Sequence, residues 1–374
     1  MLITSLPTPQ VLIDKERLER NLDRVQAAAT GRGLRLRPHA KTHKCPAIAA
    51  LQVQRGAVGI CCAKISEAEV FADTGIRDIR LPYPVHPSSA DRLFALMNRA
   101  RVSIIVDSLD VASGWSDVMR QAGRRLDVLV KVDVGFHRCG IDPQLPAALE
   151  FVQQVAEMPG LVLRGVLSHA GNSYSASSEA ELAAIARTEA AIHREIAAAA
   201  RAAGIPISEV SVGATPSLRF SLMETGLTEV RPGNYVYLDR TQMALGSARL
   251  DDCAMTIMTT IVSGPSRDRI VLDAGSKTLT TDHARGFGEH PGFGLVLRDL
   301  ENPVPDASLL IERLSEEHAT VRVLGGHTDL KPGDRVRVVP NHACVVSNLM
   351  DSVLLVDGLT VLDTLSIAAR GKIW

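Results

Sequence analysis

The chain has 374 residues, and its 41 Lys and Arg against 42 Asp and Glu leave a net charge of −1. That balance excludes the basic face of a nucleic-acid binder and the polybasic patch of a membrane-surface protein. With 46 % hydrophobic and 22 % charged residues, the composition is that of a folded globular protein with one large domain or two ordinary ones.

The six cysteines, Cys45, Cys61, Cys62, Cys139, Cys253 and Cys344, form no CxxC pair, so neither a disulfide framework nor a zinc knuckle is expected. The opening MLITSLPTPQ lacks a basic region followed by an apolar stretch, and no apolar run reaches the ~18 residues of a membrane span. A cytoplasmic protein is expected, without membrane or nucleic-acid partners.

Eight short apolar runs predict strands at 34–38, 57–61, 79–82, 102–106, 128–132, 161–167, 210–213 and 229–235. Helical patterns lie between them, among them 66–74, 90–99, 108–122 and the Ala- and Glu-rich 179–203. Eight strands alternating with helices over roughly 200–250 residues predict a (β/α)8 barrel. A doubly wound sheet is the competitor, but no GxGxxG follows the first strand. From about Leu245 the texture changes to Val-, Ile- and Thr-rich runs separated by Gly, Pro and Asp turns. These predict a mostly antiparallel β-domain, into which a short strand at 10–13 can pair. The expected division is a barrel over 20–245 and a β-domain formed by 1–19 and 246–374.

The densest polar cluster is Arg37-Pro-His39-Ala-Lys41-Thr-His43-Lys44, at the end of the first strand. Strand alternation would put Arg37, His39 and Lys41 on one face. Barrels of this kind hold their chemistry at the C-terminal strand ends. A lysine partly desolvated there has a lowered pKa and serves as an amine nucleophile. A solvated basic turn is the bland alternative. A second pattern, His-x-Cys, occurs at His43/Cys45, His137/Cys139 and His342/Cys344. On a strand the last would put imidazole and thiolate on one face, a pair suited to zinc, but spacing alone does not choose among the three.

RPHAKTHK closely resembles the cofactor segment of the fold-type III pyridoxal-phosphate enzymes of the D-threonine aldolase and D-serine dehydratase group. GICCAKISEAE, VKVDVGFHRCG, GVLSHAGNSY, SVGATPS, EVRPGNYVYLD, VLDAGSKTL and PNHAC follow in the same order along nearly the whole chain. The resemblance implies pyridoxal 5'-phosphate on Lys41 as the Schiff-base lysine, with His39 beside it and Arg138 near the cofactor's phenolic oxygen at the end of the fifth strand. It implies a phosphate site from Gly213, Ala214 and Thr215 with Gly233, Asn234 and Tyr235, which fall after the seventh and eighth strands, where barrels bind phosphate. His169, closing the sixth strand, is the candidate acid/base or substrate-orienting group. His342 and Cys344 would hold a divalent metal (Zn, Mn or Mg) whose shell water and the substrate hydroxyl complete.

The implied activity is a lyase on D-β-hydroxy-α-amino acids, and retro-aldol cleavage to glycine and an aldehyde ranks first. Dehydration of D-serine or D-3-hydroxyaspartate to a keto acid and ammonia ranks second. A racemase ranks lower, because the tyrosine base that reading needs is missing: Tyr83, Tyr174, Tyr235 and Tyr237 all precede residue 238. A non-enzymatic cofactor-binding barrel ranks last, since it would not need the second domain. The resemblance also implies a homodimer.

Overall fold

In the computed structural model, which describes residues 1–374 apart from the side chain of Pro265, the chain divides into two compact units. One comprises Arg24–Lys41, Ile48–Gly233 and Lys372–Trp374; the other comprises Met1–Asp23, Thr42–Ala47 and Asn234–Gly371.

The first unit is the barrel. Its eight strands are Arg35–Leu36, Ile60–Cys61, Asp78–Pro84, Arg101–Val106, Leu126–Lys131, Leu161–Leu167, Glu209–Val212 and Glu229–Val230. Each is parallel to its sequence neighbour from the second to the eighth, and the eighth lies beside the first. Closure between first and second comes from a parallel bridge of His39 with Cys61 and from the Val58 and Cys61 N–H groups donating to the Leu36 and Pro38 carbonyls. Helices cover the outside because their apolar residues recur at helical spacing. Leu109–Gln121 buries Ala112, Trp115, Ser116 and Met119, and the Trp115 indole donates to the Val85 carbonyl at 2.7 Å.

Three strands are shorter than the sequence predicts, the barrel's second spanning only Ile60–Cys61. The eighth stops at Val230, because Pro232 has no N–H to continue a ladder; Asn234–Val236 form a 3-10 turn instead of its last residues. The first is a regular strand only over Arg35–Leu36, although the Arg37 and His39 N–H groups still donate to the Val230 and Pro232 carbonyls, both at 3.0 Å, before the chain turns at Ala40–Thr42.

A buried ion network ties the barrel together. Arg37 Nε donates to Glu229 Oε2 at 2.9 Å and Arg37 Nη1 to Asp78 Oδ1 at 2.5 Å. Arg80 pairs with Glu229 and, at 2.5 Å, with Glu209. Burial opposes ionisation of Glu229, but Arg80 and Arg37 outweigh it and hold the carboxyl at about 2.

The second unit is a mostly antiparallel β-structure. Gln10–Asp14 inserts into its sheet, antiparallel to Met255–Ser266 and parallel to Ser352–Asp357. Ile3, Leu12, Met258, Leu354 and Val356 form an apolar cluster around that insertion. Arg335–Val339 and Leu295–Arg298 extend the sheet on the other side of Met255–Ser266.

Candidate active site and metal centre

Lys41 does not stand on a strand. It lies in the 3-10 turn Ala40–Thr42, so strand alternation does not relate it to Arg37 and His39. Arg37 turns instead to Glu229 and Asp78. Lys41 is half-buried, and its backbone N–H donates to His39 Nδ1 at 3.3 Å. The other lysine of the segment, Lys44, belongs to the β-unit, where its buried ammonium donates to the Ala369 carbonyl at 3.4 Å.

His169 follows the sixth barrel strand. Its Nδ1 lies 2.5 Å from the Gly213 carbonyl. A carbonyl only accepts, so Nδ1 carries the proton and Nε2 of the neutral ring keeps its lone pair. Burial, and then the positive charges of Lys41 and Lys131, hold the imidazole well below its usual pKa. Phe136 meets the ring edge-on, with centroids 6.0 Å apart.

Arg138 does not sit at the end of the fifth strand: it lies beyond it, in the loop between Lys131 and Ile141, and is exposed. Its guanidinium stacks on Phe136 at 5.0 Å. Asp133 Oδ1 accepts the N–H groups of Gly135, Phe136 and His137 at 3.0, 3.1 and 3.0 Å, which sets the loop's shape.

Gly213, Ala214 and Thr215 follow the seventh strand and are buried, and Gly233 closes the barrel unit. Gly213 is required by its neighbour: an added Cβ would meet Arg231 Cβ and carbonyl oxygen at 2.9 Å. Asn234 and Tyr235 belong to the β-unit, where the Asn234 amide donates to Asp239 Oδ2 at 2.6 Å. The fully buried Ser217 hydroxyl has no hydrogen-bond partner among the described residues. A half-buried amine at Lys41, an unpartnered hydroxyl beside small residues after the seventh strand, and a neutral imidazole together fit the pyridoxal phosphate implied by the resemblance.

Two buried cations of the barrel were not predicted as site residues. Burial, and then Arg231, lowers the Lys131 amine to about 7. Arg231 donates to Ser211 Oγ at 2.6 Å and to the Ser168 carbonyl. Their signal was present: each is a charge within an apolar strand pattern, VLVKV and EVRPG.

In the β-unit, His342 and Cys344 do not share a strand. Arg335–Val339 ends before them; His342 caps the helix Ala343–Leu349 in an extended conformation, and Cys344 lies in its first turn. The two side chains nevertheless interact. Burial works against charge on His342, but Cys344, Asp239 and Asp282 outweigh it and raise the imidazole to about 10. The site therefore favours a cation. His342 Nδ1 lies 2.5 Å from Asp282 Oδ2, and Cys344 Sγ lies 3.3 Å from Thr42 Oγ1.

The other two His-x-Cys pairs are engaged differently. His43 Nδ1 accepts the Cys45 N–H at 3.1 Å, and His137 Nδ1 bonds Asp133 Oδ2 at 3.0 Å. Among the described residues no group of three or more His, Cys, Asp and Glu is arranged to hold a metal. His342 and Cys344 thus offer two protein ligands, and the imidazole–thiolate donor set fits a zinc-like ion with an open shell. Asp282 and Asp239 were not predicted. Asp282 lies 60 residues before its partner in an irregular segment, and no spacing in the sequence links the two.

Comparison with known proteins places these units. Residues 13–241 match the alanine racemase N-terminal domain, and residues 254–356 match a serine dehydratase domain. A D-threonine aldolase of an Arthrobacter species is 34 % identical, over 99 % of this chain and 94 % of that protein. A D-threo-3-hydroxyaspartate dehydratase of Delftia sp. strain HT23 is 33 % identical, over 91 % of this chain and 92 % of that protein. The solved structure of a D-threo-3-hydroxyaspartate dehydratase cysteine-to-alanine mutant, in its metal-free form, superposes with a TM-score of 0.91. It is 29 % identical and covers 98 % of each chain.

Proposed function

The chain belongs to the fold-type III pyridoxal-phosphate enzymes of the D-threonine aldolase and D-serine dehydratase group, and on that premise we propose that it is a retro-aldol lyase releasing glycine and an aldehyde from D-β-hydroxy-α-amino acids. The observation that carries the choice is the likeness to the Arthrobacter D-threonine aldolase over 99 % of the chain.

Lys41 is the residue that would carry pyridoxal phosphate. Bound there, the cofactor supplies an electron sink for the pair left on Cα. Gly213, Ala214, Thr215 and Gly233, with Asn234 and Tyr235, are the proposed phosphate segments, and His39 and Arg138 the residues flanking the ring. His169 is neutral, with Nδ1 committed to Gly213, so Nε2 is the atom that accepts the hydroxyl proton as the Cα–Cβ bond breaks. His342 and Cys344 would hold the divalent ion, which lowers the pKa of a hydroxyl bound to it. Among the described residues no helix is long and apolar enough to cross a membrane, and the reading takes the protein as a cytoplasmic homodimer.

Cys344 favours a second reading. A dehydratase whose cysteine-to-alanine mutant has been solved in a metal-free form has a comparable fold, and a thiolate–imidazole metal site also suits departure of hydroxide in the conversion of D-serine or D-3-hydroxyaspartate to a keto acid. The test is to supply the holo-protein with D-threonine, D-serine and D-3-hydroxyaspartate in the presence of Zn²⁺ or Mn²⁺. Glycine with an aldehyde supports the lyase proposed first; keto acid with ammonia supports the second.

A further inference from the structure

We propose that Asp282 is the positioning carboxylate of the metal centre: it fixes His342 in the tautomer and orientation that present Nε2 to the ion. This rests on the reading of His342 and Cys344 as metal ligands. His342 Nδ1 lies 2.5 Å from Asp282 Oδ2. An ionised carboxylate only accepts, so Nδ1 must keep its proton, and it is the Nε2 proton that an incoming metal displaces to gain the lone pair it needs.

The backbone of Asp282 is itself held. Asn341, immediately before His342 and fully buried, donates from Nδ2 to the Asp282 carbonyl and to the Gly292 carbonyl, both at 2.9 Å. Arg240 Nη1 donates to Asn341 Oδ1 at 3.3 Å and to the Pro291 carbonyl at 2.9 Å. The Asp282 N–H donates to Thr280 Oγ1 at 3.2 Å. The irregular segment around Asp282 is therefore pinned to the residue before the histidine, which gives Asn341 of PNHAC a structural task distinct from ligation. Its amide ties the backbone of Asp282 to the residue before an imidazole that lies 60 positions away in sequence.

The two carboxylates near His342 have different tasks. Asp239 is fully buried and spent on the N–H groups of Gln242 and Ala343 and on the Asn234 amide. Asp282 is half-exposed, and its Oδ2 faces the imidazole. Asparagine at 282 would break the rule that fixes the tautomer. Its amide can donate to Nδ1, leaving the proton on Nε2 and blocking the metal-binding atom.

The experiment measures Zn²⁺ affinity of the holo-protein by competition with a chromophoric chelator, and the absorption spectrum of its Co²⁺-substituted form. The variants are Asp282→Asn, Asp282→Ala, His342→Ala and Cys344→Ala. Asp282→Asn and Asp282→Ala should bind Zn²⁺ about 10- to 100-fold more weakly. At saturating Co²⁺ they should keep the thiolate-to-cobalt absorption, because Cys344 is intact, while the ligand-field bands shift. His342→Ala and Cys344→Ala should lose tight binding, and Cys344→Ala the thiolate band as well. If both Asp282 variants bind Zn²⁺ as the parent does while the ligand variants lose it, the positioning role is overturned. If His342→Ala and Cys344→Ala also bind as the parent does, the metal reading beneath it falls, and the proposal with it.

Discussion

Cys344 Sγ lies 3.3 Å from the hydroxyl of Thr42, and Thr42 is the residue that follows Lys41 in the chain. The hydroxyl accepts from a thiol and can turn to donate to a thiolate. A hydrogen bond to a charged group contributes about 1.5–3 kcal/mol, and roughly 1.4 kcal/mol is tenfold in affinity. Thr42→Val should therefore weaken metal binding by about an order of magnitude while leaving cofactor attachment intact. Metal titration of the variant checks this; unchanged affinity would mean that the contact does not tune the ligand.

Lys41→Ala should abolish the visible absorbance of the lysine-linked cofactor, and Lys44→Ala should retain it, because the Lys44 ammonium is committed to the Ala369 carbonyl. Borohydride reduction followed by peptide mapping reads the attachment directly. Label found on any other lysine would refute the assignment.

Glu229→Gln should be among the most destabilising single changes in the barrel. It removes the carboxylate that faces both Arg37 and Arg80 and leaves buried positive charge under-compensated. Breaking such a pair costs about 3–5 kcal/mol. Urea denaturation at pH 7 measures the loss, and a midpoint equal to that of the parent would contradict the structural role of the network.

Stability should fall as pH drops from about 6.5 toward 4. His193 is fully buried, and burial lowers its pKa to about 4. Between the unfolded value and the folded one, the unfolded chain binds the extra proton, so the favourable contribution present above pH 6.5 is lost on acidification. The difference amounts to about 3 kcal/mol for this one group. His193→Leu keeps a buried uncharged side chain and should flatten the acid limb of a urea-midpoint-versus-pH curve. An equally steep limb in the variant would assign the loss to other groups.

Much of the barrel was legible because buried parallel strands are apolar runs and their connecting helices carry a 3.6-residue pattern. The pairing of the N-terminal strand was legible for the same reason: Val11, Leu12 and Ile13 are buried in the sheet. Alternation misled where the backbone left the strand. The extended backbone ends at the 3-10 turn Ala40–Thr42, so Lys41 lies on a turn, while Arg37 joins the buried ion network. The His342 and Cys344 pairing was expected from a strand and is formed by a helix start instead. Asp282 was invisible because its relation to His342 depends on tertiary contacts through Asn341, which leave no periodic trace in the sequence.

The central claim, cleavage of the Cα–Cβ bond, is tested most directly by turnover of D-threonine deuterated at Cα in ordinary water. Retro-aldol cleavage leaves that bond untouched, so the account predicts acetaldehyde and glycine that retains the label at initial rates. A keto acid and ammonia, with the deuterium released to solvent, would contradict it.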